Sequence, residues 1–210
     1  MDINSLEQQP LEIIFRILIH LPYRDILNVC QVSTYLFRLC QDENFWAEKA
    51  YRDFQLPQRL FSRLSEILGI RTFDARQKYL LSQKVFLSPS KFLGLALIRG
   101  DLDLVRYLLE NTSLEVTSSD LNILLLLAVE KSNLSILKYL FDFGEKWKLL
   151  DSIDLDSLLE TAVSLGNGDI VVYLLNHGAD SQFALELAIN RGDVDLVSEL
   201  RNRGYFDSEL

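Results

Sequence analysis

Apolar residues recur at three- and four-residue spacing along almost the whole chain, while alternation at every second position is nearly absent. This spacing aligns apolar side chains on one face of a helix, whereas a strand requires alternation. The first apolar stripe comprises Leu11, Ile14, Ile17, Leu18 and Leu21. It ends before Pro22, because proline cannot continue the helical hydrogen bonds. The chain is therefore predicted to be all-α.

Two further helical runs complete residues 1–54. One follows Asp25 and extends to Leu39, and the next follows Asp42 and extends to Phe54. A carboxylate is favourable near the start of a helix. Three short helices form a marginal core by themselves, and such a bundle gains stability when a partner covers its surplus apolar face. Residues 1–54 are therefore predicted to form a three-helix docking domain.

Residues 55–88 are predicted to form connecting helices. Gln58–Leu68 is amphipathic and ends at Gly69, and Phe73–Val85 is a second helical stretch. Pro89, a residue that is tolerated at the start of a helix, marks the next boundary.

Residues 89–210 contain a repeat of about four units, which align on four alanines. Four positions after the alanine the residue is small, the next is Asp or Asn, and the twelfth is always leucine. The alanines are Ala96, Ala128, Ala162 and Ala188. The small residues are Gly100, Ser132, Gly166 and Gly192. The polar residues are Asp101, Asn133, Asn167 and Asp193.

This repeat predicts a pair of helices. The small residue permits a left-handed end of the first helix, the Asp or Asn caps the second, and the alanine allows close approach. One such pair cannot bury its own faces, so the pairs must stack into a short α-solenoid. Glycine recurs at the sixteenth position, as Gly144, Gly178 and Gly204. The alanines are 32, 34 and 26 residues apart, so a tight loop is expected between the third and fourth units.

Composition narrows the range of functions. The net charge of −9 disfavours nucleic acid and anionic membranes as partners, because both attract a basic surface. The polar N-terminus and the short apolar runs indicate a soluble intracellular protein. Cys30 and Cys40 are interpreted as small apolar residues of a reducing compartment. With His20 and His177 as the two histidines, no metal site and no cofactor are predicted.

Residues 10–54 resemble an F-box. The family's pattern opens with Leu-Pro-x-Glu, continues through an Ile/Leu-rich helix and an Asp-Leu/Ile-Leu step, and closes on an acidic residue before a Phe/Leu-Trp pair. Gln9 replaces the opening leucine, and Leu36 stands where many members have tryptophan. The matching positions are Pro10, Glu12, Ile17, Leu21, Asp25, Ile26, Val32, Leu39 and Trp46.

This resemblance implies a docking function without chemistry. F-box proteins bind a Skp adaptor, which links them to a cullin, a RING protein and a ubiquitin-loaded conjugating enzyme. Each candidate contact residue has an alternative role in the bundle core, and for Ile17 and Trp46 the core is favoured. The residues assigned to adaptor contact or its immediate support are Pro10, Ile13, Ile14, Ile17, Leu18, Leu21, Pro22, Ile26, Val32 and Leu36.

The repeats resemble ankyrin repeats, whose unit is about 33 residues, and residues 166–180 are the most similar segment. This resemblance implies that loops and first helices bind an unidentified target protein. Trp147 is expected in a loop, either exposed as an anchor for the target or packed beneath that loop. The candidate target contacts are Arg99, Glu130, Lys131, Trp147, Asn190 and Arg191.

Together the two resemblances predict a substrate-recruiting adaptor of a Skp–cullin–F-box (SCF) ubiquitin ligase. Degenerate ankyrin arrays joined to an F-box are similar to those of large DNA viruses and some intracellular bacteria, which implies action in a host cytoplasm. One alternative keeps both modules and is a decoy that occupies the Skp adaptor without delivering a target. Another is an ankyrin scaffold outside any ligase, in which the N-terminus merely caps the solenoid. An enzyme is disfavoured, because the F-box helix and the repeat pattern account for His20 and His177.

Overall fold

The computed structural model describes residues 8–72 and 74–205, and these ranges contain fourteen α-helices, one 3-10 helix and no strand. The prediction of an all-α fold is confirmed. By compactness the chain divides into two units, Met1–Leu114 and Glu115–Leu210. The division falls after the first helix pair of the repeat series. The boundaries at residues 54 and 88 are defined by sequence motifs and stay a prediction.

The described part of the first unit contains eight helices. Four precede residue 55: α1 (Leu11–Leu18), α2 (Tyr23–Cys30), α3 (Thr34–Leu39) and α4 (Glu43–Phe54). The other four are α5 (Gln58–Leu68), α6 (Ala75–Leu87), α7 (Pro89–Arg99) and α8 (Leu102–Asn111). Within this unit α4 packs on α5 and α6, and α7 packs on α5, α6 and α8. The predicted connecting helices therefore lie between the N-terminal bundle and the first repeat.

The predicted second helical run is divided in two at Ser33. The Ser33 hydroxyl accepts a hydrogen bond from the Leu36 N–H at 3.2 Å and starts α3, whereas α2 already ends at Cys30. Pro22 precedes α2, so Asp25 lies in its first turn rather than ahead of it. Asp42 caps α4 by accepting from the Asn44 N–H at 2.7 Å, as its position predicted.

Cys30 and Cys40 form a disulfide, which corrects their interpretation as separate small apolar residues. Their Cα atoms are 6.1 Å apart, within the range that a disulfide allows, and both side chains are buried. Cys30 is the last residue of α2 and Cys40 directly follows the last residue of α3, and these two helices pack on each other. Sequence spacing does not reveal this proximity, because it depends on where α2 ends.

The described part of the second unit, residues 115–205, contains three helix pairs and a 3-10 turn, Leu150–Ser152. Its first helices are neighbours, because α9 packs on α11 and α11 packs on α13. Residues 177–180 connect α12 to α13, so the predicted tight loop is confirmed. The pairs are α9 (Ser118–Glu130) with α10 (Leu134–Trp147), α11 (Leu155–Ser164) with α12 (Gly168–Asn176), and α13 (Ser181–Arg191) with α14 (Val194–Asn202).

The capping predicted from the repeat is confirmed in all four pairs. Each aligned Asp or Asn accepts a hydrogen bond from the backbone N–H three residues further on, at 2.9–3.3 Å. The residue before it has a positive φ: 71° at Gly100, 53° at Ser132, 69° at Gly166 and 72° at Gly192. The four aligned alanines are at most 1% exposed, as close helix packing requires.

Gly144 behaves differently from the glycines with which it aligns. Gly178 and Gly204 have positive φ and follow the ends of helices, whereas Gly144 lies inside α10. It is buried because the side chains of Leu121 and Leu150 occupy the space where its Cβ would be. The helix therefore continues to Trp147, which is its last residue and not a loop residue.

Candidate protein-binding surfaces

The core of the N-terminal bundle, α1–α4, is built on aromatic side chains. Phe45 and Trp46 are fully buried, and their rings meet nearly at right angles with centroids 5.1 Å apart. The Trp46 indole N–H donates to the Cys40 carbonyl oxygen at 2.8 Å, which satisfies its buried donor. The interpretation of Trp46 as a core residue is confirmed.

A buried charged group ties α1, α4 and α6 together. The Lys49 ammonium is almost inaccessible and donates to the Ile19 carbonyl oxygen at 3.2 Å and to the Asp53 carboxylate at 2.7 Å. The Tyr79 hydroxyl donates to the same carboxylate at 2.7 Å. Burial, and then the hydrogen bond with Asp53, raise the pKa of the Tyr79 hydroxyl. This network fixes the end of α1 against the rest of the bundle.

The ten predicted adaptor residues fall into three groups by exposure. Four lie in the core and support the surface instead of forming it: Ile14, Leu18, Ile26 and Leu36. Two, Ile17 and Leu21, are half-buried. The remaining four are exposed, namely Pro10, Ile13, Pro22 and Val32.

Exposed apolar residues are frequent on the bundle. Ile13 is 44% and Val32 51% exposed, and Leu11 and Phe37, which sequence reasoning did not select, are 47% and 50% exposed. Ile13, Val32 and Phe37 are called the apolar surface below, whereas Leu11 lies on the opposite flank of α1. Large apolar side chains at this exposure gain free energy when another protein covers them.

A groove of about 940 Å³ runs beside α1, on the flank opposite Ile13. Leu11, Phe15 and Tyr51 contribute apolar surface to it, and Arg52 donates to His20 Nε2 at 3.1 Å at the same site. Phe15 and Tyr51 were not predicted, because the groove forms between helices that are distant in sequence. A helical period that includes Leu11, Phe15 and Ile19 was the available signal.

The predicted target contacts are all exposed, but they do not share one environment. Arg99 belongs to the first unit, where its guanidinium covers Gly69. In the second unit, the Arg191 guanidinium donates to the Ser164 carbonyl oxygen at the end of α11. Trp147 is 59% exposed, with the Lys146 ammonium 5.5 Å from its ring centroid. Trp147 is therefore exposed and not packed beneath a loop, and its role as an anchor for the target stays a prediction.

Two of the three remaining candidates, Glu130 and Asn190, lie on a surface that the three first helices of the second unit share. In each first helix, three residues project away from the aligned alanine: the residues five and two positions before it and the residue two positions after it. Their side chains lie within about 40° of the direction opposite the alanine. We call these nine residues the outer stripe: Ile123, Leu126, Glu130, Ser157, Glu160, Ser164, Phe183, Glu186 and Asn190. Lys131 and Arg191 lie one residue further on, beside the stripe.

A helical bundle with an exposed apolar surface, followed by stacked helix pairs, is typical of a protein that binds other proteins. Comparison with known families agrees. Residues 7–52 match the F-box-like family, and residues 93–183 match the family of ankyrin repeats, in three copies. A search of curated proteins and a search of solved structures found no match. The chain therefore carries an F-box-like domain followed by ankyrin repeats.

Both modules are non-catalytic interaction domains. F-box domains generally bind Skp-type adaptors, and ankyrin repeats bind protein targets. Among the described residues, no group of three or more His, Cys, Asp or Glu is arranged to hold a metal ion. Within those same residues, no helix has the length and apolar character needed to cross a membrane.

Proposed function

We propose that the chain is a substrate receptor of an SCF ubiquitin ligase. Its F-box-like domain binds a Skp adaptor, and its ankyrin repeats bind the protein that is to be ubiquitinated. The observation that carries this proposal is the apolar surface, which lies within the F-box-like match at residues 7–52. Ile13 and Val32 contact the adaptor in this proposal, while the buried Ile14 and Leu18 hold α1 in place.

Capture of purified Skp adaptor by the full chain tests the first half of the proposal. The double variant Ile13→Asp, Val32→Asp is expected to lose binding, because two desolvated carboxylates would face the adaptor's apolar side chains. Both positions are exposed in the free chain, so the fold is expected to survive. Retained capture by this variant, with an unchanged circular dichroism spectrum, would overturn the assignment.

Leu87→Asp is the matched control. Leu87 is 69% exposed at the end of α6, in the same unit but outside the F-box-like match. It is expected to bind the adaptor normally. Equal loss of capture in this variant would show that any added charge weakens the complex, and would refute a specific role for Ile13 and Val32.

Ubiquitin transfer separates a receptor from a decoy. A receptor joined to cullin, RING protein and conjugating enzyme is expected to promote ubiquitination of a protein that the repeats hold, and deletion of the repeats abolishes this transfer. A chain that binds the adaptor but promotes no transfer is the decoy. A chain that does not bind the adaptor is an ankyrin scaffold.

A further inference from the structure

The outer stripe has a charge pattern that the repeat pattern does not require. Each of its three helices contributes one glutamate, Glu130, Glu160 or Glu186, and none of its nine residues is basic. All three glutamates are exposed. Within the described residues, no ion pair neutralises them. The nine residues therefore carry three negative charges and no positive one, and the cations Lys131 and Arg191 lie beside them at the ends of α9 and α13.

Apolar surface lies next to this charge. Ile123 is 65% exposed on α9, and Leu126 follows it one turn later on the same face. A cavity of about 190 Å³ opens between α9 and α11, lined by Asn122, Ile123, Leu126, Asp154, Ser157 and Leu158. Asn122 closes one side of the cavity, because its amide bonds the Ser152 carbonyl oxygen and the Asp154 N–H, both at 3.1 Å.

We propose that the outer stripe binds an extended basic segment of the target protein, with one large apolar side chain of that segment seated against Ile123. This inference rests on the proposed function, because it takes the ankyrin repeats to bind the target protein. It adds the chemistry by which the repeats select that target. Charge complementarity identifies the occupant: three exposed carboxylates that form no ion pair among the described residues, on a chain of net charge −9, attract a basic partner and repel an acidic one.

Helix spacing gives the expected spacing of the basic residues. Neighbouring packed helices lie 8–10 Å apart, and an extended chain advances about 3.3 Å per residue. A segment that crosses α9, α11 and α13 therefore meets a new helix about every third residue. Arginine or lysine at every third position, after one large apolar residue, matches Ile123 on α9, Glu160 on α11 and Glu186 on α13.

Fluorescence anisotropy of the full chain with a labelled synthetic peptide tests this proposal. The peptide carries one leucine, then arginine at every third position with serine between. It is expected to bind with an affinity that falls as salt rises, because exposed charges are screened. A second peptide with glutamate in place of arginine is expected not to bind. Equal binding of both peptides, or no binding of the arginine peptide, would overturn the proposal.

Two variants and a control locate the site. Glu160→Lys with Glu186→Lys is expected to weaken binding about tenfold, since two attractions become repulsions. Ile123→Ser is expected to weaken it about fivefold through lost apolar contact. Asp142→Lys with Asp195→Lys changes the net charge equally, but at exposed positions on second helices, and is expected to leave affinity nearly unchanged.

Each outcome of this set decides the proposal. Weakening in the first two variants and not in the control supports the outer stripe. Equal weakening in the control would mean that net charge alone attracts the peptide, which refutes the site. Capture of the Skp adaptor by the same variants is the separate measure of the proposed function, because Glu160 and Glu186 lie outside the F-box-like match.

Discussion

The F-box-like bundle is held by contacts that occur once, whereas the ankyrin repeats are held by contacts that recur in every pair. In the bundle, Lys49 bonds Asp53 and the Ile19 carbonyl, and the Cys30–Cys40 disulfide joins the ends of α2 and α3. In the repeats, four equivalent caps start the second helices, and four buried alanines allow the helices of each pair to pack closely.

This difference determines how much stability the removal of one contact is expected to cost. A contact that occurs once has no substitute, so its removal is expected to destabilise the whole bundle. A repeated contact contributes a similar free energy in each helix pair, so its removal from one pair is expected to lower stability only by the contribution of that pair. Changes in the bundle should therefore be larger than changes in the repeats, and four experiments test this ranking.

Asp53→Ala is expected to have the largest effect. It leaves the buried Lys49 ammonium without its carboxylate, and breaking a buried ion pair from one side costs about 3–5 kcal/mol. Because Asp53 is partly exposed, about 3 kcal/mol is expected. Urea unfolding measures the loss through Trp46 fluorescence, in a Trp147→Phe background that removes the other of the two tryptophans.

Glu48→Ala is the control for that loss, because Glu48 is an exposed acid on the same helix. A change within about 0.5 kcal/mol is expected there. If Asp53→Ala destabilised the bundle no more than Glu48→Ala does, the Lys49 network would not hold α1, α4 and α6 together.

Reduction of the disulfide is expected to have the next largest effect. The bond between Cys30 and Cys40 closes a short loop, and a loop of this size stabilises a fold by about 2–3 kcal/mol. Dithiothreitol is expected to lower the urea midpoint reported by Trp46. The double variant Cys30→Ala, Cys40→Ala is expected to unfold at the same midpoint with and without the reductant. Two alkylatable thiols in the untreated, unfolded protein would show that the bond is absent.

The same contrast explains which features the sequence predicted. The caps at Asp101 and its equivalents were predicted because capping depends on residues within three positions of each other. The disulfide was missed because it depends on where α2 ends and how α3 packs on it, and the Lys49 network was missed because its partners meet only after several helices have packed. Lys49 and the Ile19 carbonyl are thirty residues apart in the chain.

For the F-box-like bundle, the sequence predicted which face of α1 is buried, but not the exposure of every residue on that face. Ile13 and Ile14 are adjacent and chemically identical, yet Ile13 is 44% exposed and Ile14 is fully buried. The apolar stripe predicts this difference, because it includes Ile14 and excludes Ile13. It also includes Leu11, which is 47% exposed, so a place on the stripe does not fix the burial of each member. The groove beside Phe15 and Tyr51 was missed because it forms between helices that are distant in sequence.

Gly144→Ala tests a place where one repeat departs from the pattern. An added Cβ would lie 2.5 Å from the Leu150 side chain and 2.7 Å from that of Leu121. Overpacking of this kind is expected to cost about 1–2 kcal/mol, measured by urea unfolding followed by circular dichroism. Gly94→Ala is the matched control, since Gly94 is also helical but has open space around its Cβ position. It is expected to stabilise by about 0.5–1 kcal/mol, and the same sign for both variants would contradict this account.

Ser132→Gly is expected to have the smallest effect, and it is stabilising. Ser132 has φ of 53° at a position where the other three repeats have glycine, and a residue with a Cβ pays about 1–2 kcal/mol for that conformation. Glycine removes this strain but gains more freedom in the unfolded chain, so a net gain of about 0.5–1 kcal/mol is expected. The reverse change, Gly166→Ser, is expected to cost a similar amount. Thermal unfolding of both variants checks the pair: if Ser132→Gly destabilised the chain, the four caps would not be equivalent, and the contrast between repeated and single contacts would fail at its simplest point.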